Sequence, residues 1–239
     1  MTEIFEIATK LGSLELNISL PIKIDQKRLL ADFHNVYSNF VETGHFDNIY
    51  GGWKSIGLIT SGGEVGETRN ESMTNKPYAP TPALEFCPYI KKFLDDLPTQ
   101  KTRIRFMSLA PGAIIDWHHD NMLTVDKMTG ATEARFHIPI ITNPKISFKM
   151  CHDICKWEAG NFYYADFSFP HAVKNNSNES RIHLVMDLMP NDEIRSLFPE
   201  SFLQAEQKRH RFRMFCQKAC SVYLKRQKLQ AKLSNYFNR

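Results

Sequence analysis

The chain has 239 residues, 42% of them hydrophobic and 17 of them Phe, enough to bury a sizeable core in one large domain or two small ones. No apolar run reaches about eighteen residues, which excludes a membrane-spanning helix, and five cysteines, an odd number, suit a reducing compartment better than a disulfide framework. The net charge of +4 hides an asymmetry: from Ser201 onward ten Lys/Arg face one acid, Glu206, whereas the first two hundred residues carry 20 basic and 25 acidic groups.

The N-terminal stretch MTEIFEIATKLGSLELNISL has no basic segment leading into an apolar one, so no secretory signal is read there and a cytoplasmic location is expected. From Asp25 to about Phe40, Leu29, Leu30, Phe33, Val36, Tyr37 and Phe40 recur at helical spacing, with Asp25 as the N-cap. Gly51 to Pro82 is rich in Gly, Ser, Thr, Asn and Pro and predicts loops around short strands. Its Ser61-Gly62-Gly63 lacks the Gly-Lys-Ser/Thr ending of a phosphate loop. Tyr89 to Leu97 predicts a short helix closed by Pro98.

Short strands are predicted next, at Ile104–Leu109, Ala113–Trp117, Ala134–Ile141, Ile146–Cys151, Phe162–Ala165, Ala172–Lys174 and Arg181–Leu188, a spacing that indicates a sandwich or barrel. Two of them alternate unusually. One face of the last carries Arg181, His183, Val185 and Asp187, and one face of Ala134–Ile141 carries Arg135, His137 and Pro139; the opposite faces are apolar. A surface strand would turn such a polar face to water. A barrel with a polar reaction chamber would turn it inward, and that is the expectation here, with His183 and Asp187 in a supporting polar network. After Pro190 the chain reads as helical to its end, with Phe212, Phe215, Ala219, Val222, Leu229, Leu233 and Tyr236 at three- and four-residue steps.

His118-His119-Asp120 carries the most chemistry. Alternate residues of an extended strand point to one side, so His118 and Asp120 face the same point. His119 faces away or meets a substrate at the mouth. His171, arriving from a distant strand, would complete two imidazoles and one carboxylate, the ligand set of non-haem Fe(II) oxygenases, which leave the opposite positions open. Arg181 supplies a planar cation suited to bidentate capture of a carboxylate. Cys151/Cys155 and Cys216/Cys220 could together supply four thiolates, but neither pair has the spacing of a zinc knuckle, and no structural zinc is expected.

Four segments in order, LAPGAIIDWHHDN, ARFHIPI, FPHAVKN and SRIHLVMDL, lie within roughly Arg103 to Leu188. Together they resemble the aspartyl/asparaginyl β-hydroxylase-like branch of Fe(II)/2-oxoglutarate dioxygenases, which includes bacterial hydroxylases of free proline. The resemblance implies a mainly β fold: a double-stranded β-helix (a jelly-roll or cupin-like barrel) with flanking N-terminal helices, over residues 1–190. A basic helical extension, 191–239, would pack on it. It further implies His118, Asp120 and His171 as iron ligands and Arg181 as the anchor for the distal carboxylate of 2-oxoglutarate. Arg135 and His137 would stand near that co-substrate or the substrate's own carboxylate. Retention of Asp120 favours hydroxylation over halogenation. The implied reaction consumes O₂, hydroxylates an aliphatic C–H of an amino acid (free, such as proline, or within a small peptide) and releases succinate and CO₂. Two other readings stand beside it: a non-catalytic cupin-like module that binds 2-oxoglutarate or a metal, and an adaptor for nucleic acid or peptide built on the basic tail. That tail is expected to pack on the barrel with a solvated cationic face; an acidic partner is the next reading, and nucleic acid is not expected.

Overall fold

The computed structural model describes residues 2–46, 51–120 and 123–237, with side chains to residue 233. Asn121 of the first motif, and the side chain of Tyr236 from the predicted helical pattern, lie outside the described part. The helices are α1 (Thr2–Leu11), α2 (Gln26–Asn39), α3 (Glu71–Thr74), α4 (Pro88–Asp96), α5 (Asp192–Arg195), α6 (Glu200–Gln204) and α7 (Glu206–Phe237). The strands are β1 (Asn17–Leu20), β2 (Thr43–Gly44), β3 (Trp53–Ser61), β4 (Tyr78–Pro80), β5 (Lys101–Leu109), β6 (Ile114–His118), β7 (Ala134–Ile141), β8 (Ile146–Met150), β9 (Asp153–Ile154), β10 (Phe162–Ala165), β11 (His171–Asn175) and β12 (Arg181–Leu188).

A major sheet runs β1-β10-β7-β12-β5-β3-β2, with β4 added to β3, and a minor sheet runs β6-β11-β8-β9. The two form a jelly roll with helices on its outside. All eight residues of β12 are buried, which accounts for its alternation. Ile182, Leu184, Met186 and Leu188, with Phe136, Ile138 and Ile140 of β7, pack under α2 and α4. Arg181, His183, Val185 and Asp187 face the opposite way, into the barrel.

α2 starts where the sequence predicts: the Asp25 carboxylate accepts the Arg28 N–H at 3.1 Å, and Leu29, Phe33 and Val36 form its buried face. Three elements differ from expectation. β3 is a nine-residue strand in the body of the major sheet, paired with β5 from Trp53 opposite Leu109. Its composition hides it because a bulge falls between Gly57 and Ile59, and a Cβ on Gly57 would lie 2.2 Å from Thr60 Cγ2. α1 was not predicted; it is short and docks on α7, with Phe212 filling the space beside Gly12.

α7 corrects the expected apolar stripe. Arg209, Arg213, Cys216 and Cys220 face inward, while Phe215, Val222, Leu229 and Leu233 are about half exposed. The inward face is chosen by two buried carboxylates of the barrel, Asp126 and Asp166, which pair with the two arginines. Residues 225–233 extend past the body and are exposed. Among the described residues no helix is long and apolar enough to cross a membrane.

Candidate metal centre and active site

His118 ends β6 and His171 begins β11, and antiparallel pairing sets them opposite each other with ring centroids 4.2 Å apart. Ligand atoms of His118, Asp120 and His171 all lie within 4.8 Å of one another, the one such group among the described residues. Each ring is oriented by the backbone two residues earlier: His118 Nδ1 meets the Asp116 carbonyl at 2.7 Å and His171 Nδ1 meets the Phe169 carbonyl at 2.9 Å. A carbonyl only accepts, so each Nδ1 carries a proton and each Nε2 is the ring nitrogen left to face the site. Burial and the neighbouring His118 bring the His171 imidazolium down to about 3, leaving the ring neutral, as a metal ligand must be.

Asp120 is anchored through its N–H to the Phe167 carbonyl at 2.9 Å, and its Oδ2 accepts from Arg135 Nη1 at 2.5 Å. Burial opposes its ionisation, but the Arg135 guanidinium outweighs this and holds the carboxyl at about 2. Two imidazole nitrogens and one carboxylate oxygen within 4.8 Å of one another fit a divalent first-row metal such as Fe(II).

Arg135 is itself fixed. Asp187 lies directly across from it in the β7–β12 register and receives Nε at 2.7 Å and Nη2 at 3.1 Å. On its other side Asp187 pairs with Arg103 at 2.9 Å, and Arg105 stands 3.7 Å away. Arg135 thus links Asp120 to a buried acid, and its guanidinium is engaged on both sides. Arg105 is the under-compensated cation of the group. Its Nε faces Met107 Sδ at 3.1 Å, and burial, with repulsion from Arg103, brings it down to about 9.

Arg181 and His137 line an inner cavity together with His118, His171 and Phe148. Arg181 is 5% exposed; its bonded partner is the His183 imidazole, at 3.0 and 2.8 Å, and among the described residues no carboxylate pairs with it. His137 turns Nδ1 to His183 Nδ1 at 3.1 Å, while its buried Nε2 has no hydrogen-bond partner. A buried unpaired cation beside an orphaned ring nitrogen fits a carboxylate ligand. Toward the surface a cavity of about 270 Å³ is lined by His45, Trp53, Arg103, Arg105, His119 and Glu133. His119 therefore stands at the mouth. Sequence reading missed Arg103 and Arg105, although their alternation in β5 repeats the polar inward faces of β7 and β12. It also missed His45, whose ring stacks on Trp53 at 3.8 Å and which no local pattern marks.

The family model described as aspartyl/asparaginyl beta-hydroxylase matches residues 21–190. The fold and this match define a 2-oxoglutarate-dependent oxygenase of the hydroxylase type. The chain belongs to the aspartyl/asparaginyl beta-hydroxylase family.

Solved structures similar to it include an oxidoreductase of the 2OG-Fe(II) oxygenase family from Burkholderia pseudomallei, at 13% identity over 80% of this chain and 91% of that one, TM-score 0.46. A Pseudomonas putida prolyl-4-hydroxylase matches at 13% identity over 80% and 100%, TM-score 0.42. A Trichoplax adhaerens prolyl hydroxylase, solved with a peptide fragment of the hypoxia inducible factor oxygen degradation domain, matches at 14% identity over 83% and 93%, TM-score 0.43.

Proposed function

We propose that this enzyme hydroxylates an aliphatic C–H of an amino acid that carries a carboxylate, either free or within a small peptide. Fe(II) would be held by His118, Asp120 and His171, and 2-oxoglutarate by Arg181. One observation carries it: two imidazoles and one ionised carboxylate converge within 4.8 Å, with a buried guanidinium, paired with no carboxylate among the described residues, on the same cavity. A ferrous ion held there would activate O₂, the oxidant of the reaction, whose two oxygen atoms end in the C–OH of the product and in the succinate left when 2-oxoglutarate loses CO₂.

The residues divide the remaining work. The carbonyls of Asp116 and Phe169 fix the two rings, and Arg135 keeps Asp120 charged and oriented. Arg181 offers its guanidinium to the distal carboxylate of 2-oxoglutarate, and His137 Nε2 supplies a further polar contact. Arg135 is occupied by Asp120 and Asp187, so the cation left for a substrate carboxylate at the mouth is Arg105. Residues 1–190 serve as the catalytic domain and 191–239 as a helical extension on it. A reducing, cytoplasmic setting suits five buried cysteines with free thiols.

The test is anaerobic loading with Fe(II), then 2-oxoglutarate, O₂ and a panel of amino acids and short acidic peptides. Succinate and a product heavier by one oxygen atom are expected, both lost in Asp120→Ala. Absence of succinate together with absence of bound iron would remove the proposal's foundation.

A further inference from the structure

The turn from Asp166 to Pro170, between β10 and β11, holds the triad from behind. Its Phe167 carbonyl accepts the Asp120 N–H at 2.9 Å, and its Phe169 carbonyl orients His171 Nδ1 at 2.9 Å. Ser168 lies between these two carbonyls, and α7 grips it from both ends. Arg213 Nε donates to Ser168 Oγ at 2.7 Å, and Gln217 Nε2 donates to the Ser168 carbonyl at 2.8 Å. Arg213 Nη2 also reaches Asp166 Oδ2 at 2.9 Å and the Asp126 carboxylate, and its guanidinium lies 5.2 Å from the Phe169 ring centroid. Asp166 Oδ1 closes the loop by accepting from Ser168 N at 3.2 Å and from Ser168 Oγ.

Gluing α7 to the barrel would not require this. Arg209, one turn earlier and fully buried, already gives Asp126 three hydrogen bonds, the shortest 2.6 Å, and donates to the Phe202 carbonyl at 2.7 Å. Arg209 makes no bond to the turn. Arg213 and Gln217 instead bind the one residue flanked by the two carbonyls that place Asp120 and His171.

We propose that Arg213 and Gln217 are positioning residues of the metal centre, so that the first half of α7 completes the site instead of merely covering the barrel. This rests on the reading of His118, Asp120 and His171 as metal ligands. Loss of either contact lets the turn relax, moving a backbone anchor and a ring anchor together. Partners bonded directly to metal ligands are worth about 10–100-fold in metal affinity, and Arg213 and Gln217 act through the turn whose Phe167 and Phe169 carbonyls bond Asp120 and His171.

The test is cobalt(II) titration of the metal-free full chain, read from the visible absorption of the bound ion, for wild type, Gln217→Met, Arg213→Lys and Arg209→Lys. Gln217→Met removes one hydrogen bond and no charge; it is expected to raise the cobalt Kd about tenfold and to change the absorption envelope. Arg213→Lys keeps the charge but not the fork and is expected to raise Kd by about 10–100-fold. Arg209→Lys is expected to lower Tm while leaving Kd within about twofold. By reciprocity, cobalt should also slow amide exchange in 209–220 of the wild type. Wild-type binding with an unchanged Kd in folded Gln217→Met overturns this proposal alone, and Gln217→Met decides if Arg213→Lys does not fold. A wild type that binds no cobalt overturns the ligand assignment and this proposal with it.

Discussion

His118 and His171 use one ring nitrogen on a carbonyl of their own chain and leave the other facing the proposed metal site, whereas Asp120 depends on a neighbour, Arg135, for its charge. Arg135→Lys would replace a fork that spans Asp120 and Asp187 by a point charge that cannot serve both. Its metal affinity is expected to fall about 10–100-fold, measured by titration of the metal-free protein. Arg181→Met should raise the KM for 2-oxoglutarate at least about tenfold, because a hydrogen bond to a charged group is worth roughly 1.5–3 kcal/mol. Arg105→Met should leave that KM in place and raise the KM of an acidic substrate by a similar factor. Equal effects of the two variants on both constants would contradict the division of labour between inner cavity and mouth.

At the scale of elements, β12 ties the chemistry to the core. Its polar face supplies Arg181, His183 and Asp187, and its apolar face is pressed under α2 and α4. Leu184→Ala, at a fully buried position in this strand, is expected to cost about 2–5 kcal/mol in urea unfolding. The polar alternation of β12 and β7 was legible in the residues because a period of two survives whichever way a strand faces. β3 was not, since a bulge at Gly57 breaks that period. The inward face of α7 was not legible either. Local periodicity ranks Phe215 and Leu229 above Arg209 and Arg213, and only the distant Asp126 and Asp166 reverse that order.

For the whole molecule, burial in the barrel holds four histidines neutral. Burial is the first cause at each: His45 and His171 are brought down to about 3, and His137 and His183 also lie well below their ordinary value of 6.5. Between pH 6.5 and about 3 the unfolded chain therefore binds protons that the folded one refuses. This contribution to stability is complete above pH 6.5 and is lost as pH falls toward 3. The Tm of the metal-free protein should accordingly decline steadily from pH 7 to pH 4 in a calorimetric series; a flat profile would contradict the burial of these rings. A metal at about 100 times its Kd should add roughly 2.7 kcal/mol at neutral pH, and less in acid, because metal ligands must be deprotonated to bind.

Residue identity and spacing alone determined the chemistry on offer: the His-x-Asp pair, a later His, an Arg ten residues beyond it, and strands polar on one face. These follow from covalent order and from the two-residue period of extended backbone, so no tertiary contact is needed to read them. Only the folded structure decided which cation is spoken for, because that turns on Asp187 standing between Arg135 and Arg103, with Arg105 held farther off at 3.7 Å and Arg181 paired with no carboxylate among the described residues. It likewise decided that α7 presses arginines, not its phenylalanines, onto the barrel: pairing buried charges across more than forty residues of chain is a property of three-dimensional proximity that no local pattern records.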